Sequence, residues 1–475
     1  MDNSFFSRFM PKEPKFNALL KQMAEVSAES AVLVIECVKN IEYETVVEYA
    51  KQIKAYEKKR PARRADLFNS SFVSVKSFNI RRMKKISLSL FSLFICISGF
   101  AQVKISGYIQ TQYQYGEKEA TLKVGGANEN PDESFDRFGV RRGRVKFSYE
   151  EGLASGIFQL DITEKGVGLK DACLQIKDPF GGTNSLKTGV FDRPFGYEIS
   201  YSSSLRESPE RSTVFQKLFP DERDLGGMLT LKAPKNSPWN ILKLEAGLFA
   251  GNGIRPEIDS KKDFIGHLSV NKKIGKNLNL SGGVSYYNGG VYQGSEKIYT
   301  MDGTGFAVND NADNKGKYAK REYVGTDAQF SVTGVAGMTQ IRGEYLFGEQ
   351  PGTASSNDSP KFTALPTNDT YIRDFNGGYV MLVQDLGKLP LSAVLKYDWY
   401  DPNKKVSGDE IGQNDTSKAD LSQNTIGFGV LWRATDAIRV QAYYEINSNE
   451  KSENVSGYNN DRKDNVFTLR LQYKF

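Results

Sequence analysis

The chain has 475 residues, 39% hydrophobic and 25% charged, with 44 Gly, 12% aromatics, three Cys and one His. That is enough for two or three ordinary domains or one large barrel, and Cys37, Cys96, Cys173 and His267 fall in no metal-type spacing, so no metal or cofactor is expected and a His-dependent hydrolase is disfavoured. The net charge of +6 belongs to the leader: 17 of the 63 Lys and Arg and 10 of the 57 Asp and Glu precede Gln102, leaving 46 against 47, so the main body gives nucleic-acid binding no compositional support.

Residues 1–82 read as a short helical leader. Ala18-Leu19-Leu20, Met23-Ala24, Ala31-Val32-Leu33-Val34 and Val46-Val47 recur at roughly helical spacing, with Lys and Glu between them. The opening Phe5-Phe6-Ser7-Arg8-Phe9-Met10-Pro11-Lys12-Glu13 resembles the start of PhoU-like cytoplasmic proteins that accompany phosphate transporters. The resemblance runs over residues 1–60 and implies a fragment of that helical fold, so 1–82 is read as a fused fragment or a misplaced start. Residues 83–101 then read as a signal peptide. Met83-Lys84-Lys85 is the cationic start, Ile86–Ala101 the apolar run, and Gly99 and Ala101 the small residues before cleavage at Gln102. The run is too short and Ser-rich for a spanning helix, which needs about 20 apolar residues.

From 102 to 475 the pattern is strand, turn, strand, loop. Short turns fall at Glu150–Gly156, Asp178–Asn184, Ala233–Pro238, Ile274–Asn277, Gly334–Gly337, Asp385–Leu389 and Ala434–Ala437. Longer polar loops fall at Gly116–Phe135, Asp192–Asp224, Gly251–Asp263, Asn288–Lys320, Glu349–Asp369, Asp401–Ser422 and Asn447–Asn465. Alternating short and long connections are the mark of a transmembrane barrel with tight turns at one end and longer loops at the other. The segments between them have a period of two, so alternate side chains share a face. Phe158, Leu160 and Ile162 form one apolar face; Leu391, Ala393, Leu395, Tyr397 and Trp399 another; Val440, Ala442, Tyr444 and Ile446 a third. Counting gives about 16 strands, hence an all-β fold, an antiparallel transmembrane β-barrel of 16 strands around a water-filled lumen. Lipid forbids a free sheet edge, so the strand over Val103–Tyr115 is expected to pair with the last one. That last strand puts Phe467, Leu469, Leu471, Tyr473 and Phe475 on one side and Thr468, Arg470, Gln472 and Lys474 on the other. Ending on Phe475, it resembles the C-terminal signal of bacterial outer-membrane barrels, which implies recognition by the barrel-assembly machinery.

Four further stretches carry a family resemblance. Arg137-Phe138-Gly139-Val140-Arg141-Arg142-Gly143-Arg144-Val145-Lys146-Phe147 resembles the Arg-rich second strand of the phosphate-selective porin O/P family. Val190-Phe191-Asp192-Arg193-Pro194-Phe195-Gly196-Tyr197-Glu198, with Arg206-Glu207-Ser208-Pro209-Glu210-Arg211 after it, resembles its Gly-x-Phe-x-x-Pro-Phe-Gly-x-Glu block. Ala250-Gly251-Asn252-Gly253 and Lys396–Pro402 also fit, so the resemblance runs through nearly all of 102–475. It implies an outer-membrane homotrimer in a Gram-negative bacterium, passing phosphate or other small anions, with the third outer loop, here Asp192–Asp224, folded into the lumen. The residues agree in part. With Val145 and Phe147 toward lipid, Arg142, Arg144 and Lys146 face the lumen, and Arg342, Arg439, Arg470 and Lys474 are predicted to do so too. Arg suits phosphate because its planar fork matches two oxygens and stays charged. Arg193, Arg206 and Arg211 lie on the third loop. Each cation has a second reading as a brace, Asp161 being in reach of Arg142 or Arg144. The third loop carries five basic residues against seven acidic ones, so it is not a purely basic constriction, and a general diffusion porin without phosphate selectivity stands as the alternative. A barrel plugged by its loops and an outer-wall hydrolase using His267 are the remaining alternatives.

Overall fold

A computed structural model describes residues 103–180 and 183–475; the helical leader and the signal peptide lie outside the described residues. Among the described residues there are eighteen strands. They are β1 (Lys104–Gly116), β2 (Phe135–Glu151), β3 (Ala154–Thr163), β4 (Gly166–Lys177), β5 (Ser185–Asp192) and β6 (Arg223–Lys232). Then come β7 (Leu242–Phe249), β8 (Asp263–Ile274), β9 (Leu278–Tyr292), β10 (Lys297–Asp302), β11 (Gly305–Asp310) and β12 (Tyr318–Gly334). The last six are β13 (Gly337–Gly352), β14 (Thr370–Asp385), β15 (Leu391–Asp401), β16 (Gln423–Arg433), β17 (Ile438–Asn449) and β18 (Val466–Lys474).

Sixteen of these make the wall. Each of β1 to β8 pairs antiparallel with the next, β9 pairs with β12, and β12 to β18 continue the sequence. β18 returns to β1 with Thr111 opposite Leu471 and Tyr115 opposite Phe467, which closes the barrel. Phe475 completes the seam: its N–H donates to the Gly107 carbonyl at 3.0 Å, and its carbonyl accepts from the Gly107 N–H at 2.9 Å. The other two strands, β10 and β11, form a hairpin inside the loop read as Asn288–Lys320, and β10 lies parallel along the start of β14. The third loop keeps its ordinal because a two-residue turn, Glu164-Lys165, joins β3 to β4 at the loop end. The alternation of the sequence is borne out on the outside, where Ile109, Phe158, Leu229, Leu268, Val380, Leu395, Trp432, Leu469 and Leu471 are all exposed. A closed wall with an apolar exterior satisfies every wall strand's backbone groups without water and is built to stand in lipid. Among the described residues no helix is long and apolar enough to cross a membrane.

The lumen departs from expectation. Alternation predicts a polar, water-filled space, but inward positions include Phe249, Ile265, Tyr287, Tyr323, Leu346, Phe375, Tyr379, Met381 and Tyr443, all buried. The reason is the third loop, residues 193–222 (L3 below). It enters the barrel with Phe195, Ile199, Val214, Phe215, Leu218 and Phe219, and these join the inward residues in one core. Val214, Phe215 and Leu218 lie on the short helix α1 (Thr213–Leu218), and Phe219 comes directly after it. Phe219 meets Tyr323 edge-on at 5.7 Å between ring centroids and Phe195 at 4.9 Å, geometries aromatic rings favour. The inward apolar residues thus hold a loop in place across the lumen.

The candidate functional site: a loop across the barrel and two vestibules

L3 is tied to opposite sides of the wall. On β13, the carboxylate of Glu344 accepts from the Tyr197 N–H at 2.7 Å and the Glu198 N–H at 2.6 Å. Gly196 is required beside it: its φ is +62°, and an added Cβ would strike that carboxylate. Ser285 on β9 accepts from the Gly196 N–H at 2.8 Å. Across the lumen, Gln110 on β1 donates to the Ser203 carbonyl at 3.0 Å and Gln472 on β18 to the Ser204 carbonyl at 3.1 Å. Glu207 pairs with Arg342, and the Asp398 carboxylate accepts from the Thr213 N–H at 3.3 Å.

The predicted site residues separate into two groups. Most of those that face the interior are paired with a carboxylate. Arg142 meets Glu210 at 2.8 Å, Arg144 meets Asp161 at 3.4 Å, and Arg193 meets Asp224 at 3.6 Å. Arg211 meets Glu222, Arg342 meets Glu207, and Arg470 meets Glu210 at 2.9 Å. The others have no carboxylate partner among the described residues. Arg439 donates to the Arg206 carbonyl at 2.6 Å. Arg206 is 1% exposed, and its Nε, Nη1 and Nη2 make no hydrogen bond. Lys146 lies opposite Gln159 and Lys474 opposite Tyr108, neither in an ion pair among the described residues. The single histidine faces inward, with Nε2 3.0 Å from Asp327 Oδ2, and so is no part of an outer-wall nucleophile pair.

Two sets of inward cationic groups lie outside the predicted site, and only the first is hidden from the alternation. Register slips by one residue between β1 and β2, so Gln110 stands opposite Arg142 while Thr111 stands opposite Val140. This bulge turns Arg141 inward beside Arg142, and Arg141 Nε reaches Glu210 at 2.8 Å. A second bulge, between β3 and β4, turns Lys170 in beside Asp171; Lys170 lies 3.8 Å from Glu222. The other set consists of lysines at the turn end. There a cavity of about 820 Å³ is lined by Lys187, Lys232, Lys235, Lys243 and Lys273, with Arg193, Gly196 and Tyr197 of L3 above it. Lys243 is paired with Glu245 at 2.7 Å; the other four lysines have no ion pair among the described residues. Lys187 stands over the Phe191 ring at 5.3 Å. The alternation in Leu229-Thr230-Leu231-Lys232 and Leu242-Lys243-Leu244 is the signal that could have found them.

At the loop end a smaller cavity, about 320 Å³, has Glu210, Arg211, Thr213 and Gln216 of L3 as its floor. Its walls mix carboxylates such as Glu445 and Asp464 with the amides of Asn424, Asn447 and Asn449. The barrel is therefore polarised along its axis, basic under the loop and close to neutral above it. Among the described residues no cluster of His, Cys, Asp and Glu could hold a metal ion.

No protein-family model matches the chain. No curated protein matches it either. Several solved structures are similar to the chain at low identity. The Acinetobacter baumannii outer-membrane channel DcaP is 13% identical over 79% of this chain and 97% of its own, with a TM-score of 0.46. Pseudomonas putida OprB is 12% identical over 82% and 97%, with a TM-score of 0.46. Salmonella typhi OmpF is 12% identical over 78% and 97%, with a TM-score of 0.48. At this distance the functional argument rests on the chain's own residues.

Proposed function

We propose that the chain is a passive channel for small anions, phosphate and polyphosphate among them, in the outer membrane of a Gram-negative bacterium. The observation that carries the reading is the turn-end vestibule, where Lys187, Lys232, Lys235 and Lys273 line one cavity without ion-pair partners among the described residues. Unpaired cations in a low-dielectric mouth raise the local anion concentration and repel cations. Spread over four side chains, the attraction stays weak enough for an ion to leave. Lys146, Arg439 and Lys474 extend the same sign along the inner wall, and the Arg-rich β2 is the stretch that resembles the phosphate-selective porins. A second reading, a general diffusion porin, is favoured by the carboxylate partners of Arg142, Arg144, Arg342 and Arg470.

Reversal potentials in a potassium chloride gradient across a planar bilayer decide between them. Anion preference is expected, and it falls toward unity when Lys187, Lys232 and Lys273 are changed together to Gln. A cation-selective or unselective wild-type pore ends the anion reading. The assembly is proposed to be a homotrimer: β3 to β7 are 8–12 residues long against 16–17 for β12 to β14, and the short side carries an apolar groove around Phe147, Phe158 and Leu174 for a neighbouring copy. Phe475 is proposed as the group read by the barrel-assembly machinery.

A further inference from the structure

The geometry points to an oxyanion site formed by Arg141, Arg142 and Arg470, which the loop's own Glu210 occupies in this structure as a tethered competitor of the permeant ion. The inference rests on the channel reading and names the place in the lumen where phosphate would meet the protein's own carboxylate. Three guanidiniums from two strands converge on one carboxylate. Arg141 holds it with two nitrogens, Nε to Oε1 at 2.8 Å and Nη2 to Oε2 at 2.9 Å. Arg142 Nη2 reaches Oε2 at 2.8 Å, and Arg470 Nη2 reaches Oε1 at 2.9 Å. Further donors of Arg142 and Arg470 go to neutral groups: Arg142 Nη1 to Gln110 at 3.2 Å, Arg470 Nε to Gln112 at 2.9 Å, and Arg470 Nη1 to the Pro209 carbonyl at 2.7 Å.

The charges do not balance. One carboxylate faces three guanidiniums in a buried setting, and uncompensated buried charge is costly. A doubly charged tetrahedral oxyanion offers the same fork more charge and more acceptor oxygens than a carboxylate does, and Arg binds such groups in bidentate fashion. The site is reachable. Glu210 forms part of the floor of the loop-end cavity, so an ion arriving from that side reaches the carboxylate that covers the three arginines. Burial pushes the Glu210 carboxyl up, but Arg141, Arg142 and Arg470 outweigh it and hold the group well below the usual carboxylate range. The competitor is therefore charged at neutral pH and has to be displaced.

Calorimetric titration of the full barrel in detergent with inorganic phosphate tests this. Glu210→Gln removes the competing charge and leaves the three arginines in place. It is expected to bind phosphate about tenfold more tightly than wild type, the scale of one charge-assisted hydrogen bond. Adding Arg142→Gln to that variant should abolish the gain. Circular dichroism reports whether the barrel is intact; if Glu210→Gln does not fold, Glu210→Asp, one methylene shorter, is expected to give a smaller gain in the same direction. Unchanged phosphate affinity in a folded variant overturns the site. Conductance is read separately: a barrel that binds phosphate but carries no current keeps the site and loses the channel, whereas a conducting pore of unchanged affinity keeps the channel and loses the site.

Discussion

Arg206 is buried inside L3, and none of its guanidinium nitrogens finds a hydrogen-bond partner. Burial pushes its pKa well down, and Arg211 and Arg142 push the same way. A buried ion in that position costs stability that an apolar group of similar length would not. Arg206→Met is therefore expected to stabilise the folded barrel by about 1–3 kcal/mol, read as a rise in the urea midpoint at constant slope. A lower midpoint would show that the guanidinium is solvated inside the loop. The opposite sign holds for Gly196→Ala, which places a Cβ in left-handed backbone and against Glu344. A loss of about 1–3 kcal/mol is expected from the strain and the broken anchor, seen in the same unfolding curves. Single residues are the least legible feature of the sequence. Alternation alone places Arg142, Arg144 and Arg470 inward, as the structure has them. It misses Arg141 because a one-residue bulge reverses the face of the residues after it, and nothing in Val140-Arg141-Arg142-Gly143 marks where the slip falls.

At the scale of elements, L3 is the part whose position matters most for transport, and cations make three of its carboxyls, Glu198, Glu210 and Glu222, more acidic. Burial raises each of them, and the neighbours reverse it. Lys396 and Arg206 lower Glu198, the arginines described above hold Glu210 well down, and Arg211, Lys170 and Arg223 do the same for Glu222. The sign comes from linkage. A carboxyl more acidic in the folded state than in the unfolded one contributes its full stability above the unfolded value, and loses it only as pH falls through its own depressed value. L3 should stay docked from neutral pH through the ordinary carboxylate range and release only below it. Limited proteolysis of the detergent-solubilised barrel, with an acid-tolerant protease at pH 5 and pH 3, checks this. Cleavage within 193–222 already at pH 5 would mean that the ion pairs do not hold the loop. That this loop folds into the lumen came from the family resemblance. Its apolar core did not, because Phe195, Val214, Phe215, Leu218 and Phe219 lie in an irregular stretch with no period to mark a buried face. The β10–β11 hairpin is hidden for a related reason: its six-residue strands sit inside a loop too polar for periodicity to stand out.

At the scale of the whole molecule, the barrel is legible because one constraint acts on every strand at once. Lipid outside and protein inside impose a period of two on wall segments from Tyr108 to Tyr473, and a closed sheet demands that β1 meet β18. The fold can thus be read from Phe467-Thr468-Leu469-Arg470-Leu471 and its counterparts. What alternation cannot convey is how the inward charges balance, since that depends on contacts between distant segments such as Glu210 and Arg470. Those contacts pair most of the inward arginines with carboxylates, whereas the turn end gathers Lys187, Lys232, Lys235 and Lys273 without ion pairs among the described residues. Selectivity that comes from such a mouth acts through space and is open to screening. The Debye length is about 10 Å at 0.1 M salt and about 3 Å at 1 M, against a mouth several side chains wide. Anion preference from reversal potentials, measured at a fixed concentration ratio, should be clear when the mean salt is near 0.1 M and nearly vanish near 1 M. A narrow site that strips water from the ion and binds it by direct contact would keep most of its preference in high salt. Selectivity that persists at 1 M would therefore move the discriminating step from the lysine vestibule to the arginines gripping Glu210.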